Sequence, residues 1–154
     1  MRTHLPVACR PATREDWPAI RALLQSCNLP LAGAEDHLDT FLMATHAKRI
    51  VGCAGIERHG DAALLRSCAV DAAHRGQGLG ITLTTRAIAL ARSLGIRHLV
   101  LLTTTAEDFF PRFGFSRIAR EQMPVALMVS EEFRVACPAS ACAMQLELKP
   151  ANEQ

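Results

Sequence analysis

The chain contains no tyrosine, one tryptophan and six phenylalanines among its 154 residues. Nucleic-acid bases need aromatic faces to stack on, so this scarcity argues against a nucleic-acid platform. An excess of one charge is missing too. The net charge is +2 and no long Lys/Arg run accompanies it, which removes the basic footprint of a nucleic-acid binder. No apolar run approaches the ~20 residues that span a bilayer, so no membrane partner is expected. The first residues, MRTHLPVACRPATRED, lack the continuous apolar stretch of a secretory signal. A chain that is not exported keeps its thiols reduced, so the six cysteines read as those of a cytoplasmic protein. Cys9, Cys27, Cys53 and Cys68 are scattered singly; only Cys137 and Cys142 are close together. No histidine pair has metal-ligand spacing, and no metal is expected.

What is present is an ordinary globular balance, 49% hydrophobic and 21% charged, in a length that suits one domain over residues 1–154. Val7 to Arg10 reads as a first strand. Thr13 with Asp16 three residues later occupies the slots of a capping box, and Ile20, Leu23, Leu24 and Cys27 have helical spacing up to Pro30. Three strands follow, about Thr40–Thr45, Ile50–Arg58 and Ala63–Val70, the last two joined by a turn at HGD. A turn of two or four residues centred on Gly60-Asp61 pairs Glu57 with Leu64, Gly55 with Arg66 and Cys53 with Cys68. Glu57, Arg66 and Cys68 then share one sheet face, whereas a three-residue loop reverses it. Leu79, Leu83, Ala87, Leu90 and Leu94 form one stripe of a helix that Gly95 closes. RHLVLLTT reads as a buried strand, and Thr105 as the cap of a short helix that carries Pro111 and ends at Gly114. SRIARE and CAMQLEL read as strands and VSEEFRVA as a short helix. A meander followed by a strand–helix–strand crossover predicts an α/β (α+β) fold, a mixed sheet with helices on both sides.

Three glycines, Gly76, Gly78 and Gly80, stand directly before the Leu79–Leu94 helix. Glycine lets a backbone turn its N–H groups inward, and the first helical turn leaves its own N–H groups without partners. The helix dipole adds positive charge at that end, so together they form an anion cradle suited to phosphate. Arg75 at its rim supplies a charge-assisted donor. A nucleotide-hydrolase P-loop would need Lys and then Ser or Thr after the last glycine, where Ile81 and Thr82 stand. A dinucleotide fingerprint would need Gly or Ala where Ile81 stands. The pattern Arg-x-x-Gly-x-Gly fits Arg75, Gly78 and Gly80. A tight strand-to-helix connection that holds no ligand is the alternative.

VDAAHRGQGLG resembles the coenzyme A loop of the GNAT superfamily of N-acetyltransferases. The strand before it, the helix after it and LLTTTAEDFFPRFGF resemble the same family in the right order. The resemblance implies a GNAT-like mixed sheet of six to seven strands and acetyl-CoA as co-substrate. It implies that main-chain amides of Gly76, Gln77, Gly78, Leu79 and Gly80 hold the pyrophosphate, and that Cys68, Ala69 and Val70 bond the pantetheine arm. LTTTAEDFFPRFGF and EEFRVACPASACAM are similar to the amino-acid and arsenic-resistance-associated branch. The expected reaction is direct attack of the amine of a small amino-acid-like substrate on the thioester. A protein or peptide N-acetyltransferase and a non-catalytic acyl-CoA sensor are the alternatives, and a homodimer remains open.

Many family members protonate the leaving thiolate with a tyrosine; counting back from Gly114-Phe115, Phe110 fills that slot. Coenzyme A then leaves as a thiolate, or Ser67, Cys68 or a water serves. Glu57, beside the thioester, is the candidate general base, its alternatives being a solvated strand-end acid or a partner for Arg66. Arg66 interrupts an apolar strand and either clamps a substrate carboxylate or lies on an exposed strand face. Thr103, Thr104 and Thr105 offer hydroxyls to the substrate, Thr105 also as a simple cap. Cys137 and Cys142 either bind a soft metal or trivalent arsenic or are buried small residues. His74 either touches phosphate or is a solvated turn residue.

Overall fold

The computed structural model describes residues 7–133 and 141–149. Seven strands form one sheet: β1 (Ala8–Pro11), β2 (Phe41–His46), β3 (Arg49–His59), β4 (Ala62–Val70), β5 (His98–Thr103), β6 (Ser116–Ile118) and β7 (Cys142–Glu147). Their spatial order is β1-β2-β3-β4-β5-β7-β6. Every pairing is antiparallel except β4 with β5, which the helix α2 (Leu79–Ser93) connects as a crossover. The mixed sheet and its number of strands are as expected.

The first helix, α1 (Trp17–Ser26), continues directly from a one-turn 3-10 segment, Arg14–Asp16, that carries the capping box read from the sequence. Asp16 accepts the Thr13 N–H at 2.7 Å and both terminal nitrogens of Arg10 at 2.9 Å. Hydrogen bonding from Arg10 pulls the Asp16 carboxyl down to about 2. The helix stops before Pro30, because Asn28 turns left-handed (φ 57°) and Leu29 N–H returns to Leu24 O. On this face Ile20 and Leu24 pack on Phe41, Met43 and Cys53. Gly55 makes that layer possible: a Cβ there would overlap the Phe41 ring. On the opposite face Leu83, Ala87 and Ala91 of α2 pack on Ala54, Ile56, Ala63 and Leu65. Leu90 and Leu94 are only partly buried; the stripe is completed by Thr84, Ile88 and Ala91 instead. Among the described residues no helix is long and apolar enough to cross a membrane.

The hairpin register is as expected up to Gly55↔Arg66, with Glu57 opposite Leu64 across a two-residue Gly60-Asp61 turn. Beyond it the expected Cys53–Cys68 pair is replaced by Cys53↔Ala69. Three residues of β4 span what two residues of β3 span, a bulge with Ser67 left-handed at φ 57°. The extra residue reverses the side-chain alternation. Cys68 therefore leaves the face of Glu57 and Arg66 and packs on the α2 side.

Candidate active site

The β4–β5 ladder covers only Ala62–Leu64 against His98–Val100, and beyond it the two strands part. Two cavities occupy the opening. The larger, about 680 Å3, is lined by Cys68, Ala69 and Val70, by Arg75, Gly76, Gly78, Leu79 and Gly80, and by Phe109 and Phe110. The smaller, about 270 Å3, is lined by Arg66, Ser67, Cys68, residues 101–106 and Glu132. Cys68, Thr105, Ala106 and Phe110 line both, so the cavities meet at the split.

The glycine loop enters the larger cavity as main chain. Gly76 (φ 78°) and Gly78 (φ 82°) are left-handed, a backbone that favours glycine. Gly78 is the N-cap of α2, and the first helical bond runs from Thr82 N–H to Gly78 O. The N–H groups of Leu79, Gly80 and Ile81 thus have no acceptor inside the helix, and no acid stands in its first turn. The site therefore has the donors and the field that a pyrophosphate needs. The exposed Gln77 is not among the lining side chains; only its amide is available to the loop. Arg75 is at the rim, with Nε donating to Val70 O at 3.1 Å and Nη2 facing Cys27 Sγ at 3.5 Å. His74 is neither solvated nor free: it meets Asp71 and His46, each at 3.1 Å, and lines the cleft.

The smaller cavity is built from stretches far apart in the chain, 28–30, 65–68, 101–106, 110, 132 and 141. Arg66 is no exposed strand residue: its side chain is 0% exposed. Its fork is also engaged internally, with Nη1 on Glu57 at 2.7 Å, Nε on Ser67 Oγ at 3.2 Å and Nη2 on Pro30 O at 3.4 Å. Three of its five N–H donors are thus engaged internally, so Arg66 lines the cavity as a largely paired charge, and the exposed-strand alternative is the one the fold removes. Glu57 is not a solvated strand-end acid and lines neither cavity. It sits behind Arg66, its second oxygen 2.7 Å from His59 Nε2 and 3.9 Å from His37 Nε2. Burial pushes its carboxyl up, but hydrogen bonds from His59, Ser130 and Arg66 outweigh this and hold it below the ordinary value.

Glu132 has no distinguishing signal in the sequence, where it is one of two adjacent acids in VSEEFRVA. Glu131 is exposed, whereas Glu132 is buried and lines the smaller cavity, its Oε1 3.8 Å from Arg66 Nε. Burial pushes its carboxyl up to about 7, with Arg66 opposing and Glu57 adding to the rise. The short helix expected at VSEEFRVA lies partly outside the described residues, and Cys137 lies wholly outside them. Cys142 is a free thiol in β7.

Thr103 and Thr104 both line the smaller cavity. Thr103, not Thr105, does the capping after β5, its hydroxyl accepting the Ala106 N–H at 2.9 Å. The segment that follows is no α-helix but a 3-10 turn, Phe110–Phe113, ended by the left-handed Gly114 (φ 102°). Phe110 is buried and lines both cavities, and the chain has no tyrosine to serve as an aromatic acid there.

Residues 37–117, just over half of the chain, match the family model described as Acetyltransferase (GNAT) domain. The chain is 31% identical over 144 residues to an amino-acid acetyltransferase of Mycobacterium tuberculosis, covering 84% of this chain and 81% of that protein. It is 27% identical over 92 residues to an amino-acid acetyltransferase of Neisseria meningitidis, covering 58% of this chain but only 21% of that protein. Among solved structures, N-acetylglutamate synthase from Neisseria gonorrhoeae complexed with coenzyme A and L-arginine superposes with TM-score 0.77 at 24% identity, over 92% of this chain and 33% of that one. Rv2747 from Mycobacterium tuberculosis, in complex with CoA, superposes with TM-score 0.76 at 24% identity, over 92% and 99%. With its glycine loop at the head of α2, its split between β4 and β5 and these matches, the chain belongs to the GNAT acetyltransferase family.

Proposed function

We propose that the protein transfers the acetyl group of acetyl-CoA to the amine of a small amino-acid-like molecule. The carrying observation is the meeting of the two cavities where β4 and β5 part. The larger offers main-chain amides for a pyrophosphate and, past Leu64, a β4 edge free of β5 for the amides of the pantetheine arm. The co-substrate supplies an acyl carbon activated by its thioester. The chain's part is to aim that carbon at the shared wall of Cys68, Ala106 and Phe110 and to admit an amine from the other side.

The smaller cavity, about 270 Å3, suits a single small molecule better than a peptide. Thr103 and Thr104, with Ser67 and Thr105, line it, and we assign the first two hydroxyls to the substrate. The charged groups that line it are one guanidinium, Arg66, and one carboxyl, Glu132, with Glu57 pairing Arg66 from behind. A guanidinium whose charge is already met by Glu57 leaves Glu132 to receive a cationic amine. The described cysteines are all free thiols, which accords with a reducing, cytoplasmic setting.

The test is acetyl-CoA turnover with free amino acids, glutamate and arsenical mimics among them, run beside peptides. Acetylation of a free amino acid or its mimic is the expected result. Acetylation of peptides alone, or tight acetyl-CoA binding with no acceptor at all, would replace this reading with a protein acetyltransferase or an acyl-CoA sensor.

A further inference from the structure

We infer that Glu132 is the general base of the transfer: it takes the proton from the acceptor's ammonium group inside the smaller cavity. The inference rests on the acetyltransferase reading above and assigns the proton path within it.

Acyl transfer needs a nitrogen lone pair, and an amino acid presents a protonated amine at neutral pH. The acceptor must therefore lose a proton after it enters. Two carboxylates are close enough to the cavity to be considered, and their environments differ. Glu57 is behind Arg66, lines neither cavity and is held by Arg66 and His59 at 2.7 Å each. Hydrogen bonds that favour its ionised form make it a weak base. Glu132 lines the cavity, and among the described residues it accepts no hydrogen bond; its nearest cation, Arg66 Nε, is 3.8 Å away. A base works best when its conjugate acid titrates near the working pH, and burial brings Glu132 there, to about 7. The charged and titratable groups that face it are Arg66 and Cys68 from β4 and Glu57 from β3. The end of β5 and the residue after it present the uncharged hydroxyls of Thr103 and Thr104. Burial raises the Cys68 thiol, so it stays neutral and leaves the negative charge to Glu132.

The proton count closes. The ammonium gives one proton to the Glu132 carboxylate. The nitrogen lone pair then forms the C–N bond, and the C–S bond breaks with its electron pair leaving on sulfur. The nitrogen sheds a second proton as the amide forms, and the thiolate takes it up. Glu132 returns its own proton to water. No phenol is required, in keeping with a chain that has no tyrosine.

The experiment compares wild type, Glu132→Gln, Glu132→Asp and Glu57→Gln with the amino acid or mimic that the turnover panel identifies. For Glu132→Gln, kcat/KM should fall about 10²- to 10⁴-fold while acetyl-CoA affinity by calorimetry is unchanged. The acidic limb of the wild-type kcat/KM profile, near pH 7, should disappear. Glu132→Asp should recover part of the rate and restore a limb. An acceptor that is already neutral at pH 7, the aminooxy analogue of the same substrate, should lose far less. Glu57→Gln should lower the melting temperature yet keep the limb. An unchanged rate and limb in Glu132→Gln, or loss of the limb in Glu57→Gln, would overturn the assignment while leaving the acetyltransferase reading intact. If wild type binds acetyl-CoA and acetylates nothing, the parent reading fails and the assignment with it. Should Glu132→Gln lose coenzyme affinity, a ¹³C-glutamate NMR titration decides on folded wild type. A carboxyl titrating near 7 that moves when the acceptor binds supports the base, and its absence removes it.

Discussion

The two walls of the split between β4 and β5 are made in different ways. On the proposed coenzyme wall the anion-binding part is main chain from one segment, Cys68 through the loop to Gly80, and side chains such as Phe109 and Phe110 close the cavity over it. The proposed acceptor wall is drawn from residues scattered along the chain, 28–30, 65–68, 101–106, 110, 132 and 141, and its charges are side chains. A main-chain site depends on backbone conformation, so it tolerates any side chain that permits the turn. A side-chain site depends on burial and pairing, and each of its charges answers to the others. Damage should therefore be local on the first wall and coupled on the second.

The largest effect should come from breaking that coupling. Arg66→Met leaves Glu57 buried without its partner and should destabilise the fold by about 3–5 kcal/mol in denaturant titration. Arg66→Met combined with Glu57→Leu should recover most of that loss, because the cost belongs to the unpaired charge. If the double variant were no more stable than the single, the pair would not be the unit we describe.

On the other wall, Gly78→Glu sets a negative charge at the helix head and an L-residue in a left-handed turn. Coenzyme affinity measured by calorimetry should fall roughly 100-fold, about 2.7 kcal/mol, with the far-ultraviolet circular dichroism unchanged. Retained affinity would show that the loop is not the cradle.

The two carboxylates should also respond oppositely to pH. Glu57 is held below its ordinary value, so its stabilisation is present above the carboxylate range and is lost as pH falls through its folded value. Glu132 is raised, from 4.5 to about 7. Its protonated form is preferred in the fold, so its stabilisation is full below 4.5 and is lost as pH rises toward 7. Glu132→Gln should thus be more stable than wild type at pH 8, by about 1–3 kcal/mol, and equally stable at pH 4. Activity and stability would then move in opposite directions, as they do where a site is kept strained for function.

The smallest effect is expected at Thr103→Val. It removes the acceptor for the Ala106 N–H and should cost about 1 kcal/mol in thermal unfolding. A larger loss of kcat/KM than of stability would mark a second role for the hydroxyl in the acceptor cavity.

Much of this arrangement is legible in the sequence. The Gly60-Asp61 turn sets the β3–β4 register, and with it Glu57 and Arg66 on one face. The reading fails one step later because Ser67, in a stretch that looks like ordinary strand, turns left-handed and carries Cys68 to the other face. Nothing in RSCA favours that backbone. It is imposed where β4 leaves β5. The helix expected from Thr105 is reduced to the 3-10 turn Phe110–Phe113, because Pro111 has no N–H to bond four residues back and its ring crowds that carbonyl. Glu132 stays hidden because adjacent acids differ only in which one the fold turns inward.

Sequence alone determined the parts whose physics is local: the capping box at Thr13, the glycines that permit the loop, the helix behind them and hence the proposed anion cradle. Tertiary structure decided the charges. Whether Arg66 faces solvent, whether Glu57 is free, and whether Glu132 titrates near neutrality depend on groups that are distant along the chain and become neighbours only in the fold. A backbone conformation is set within a few residues, whereas an ionisation is set by everything within reach of its field.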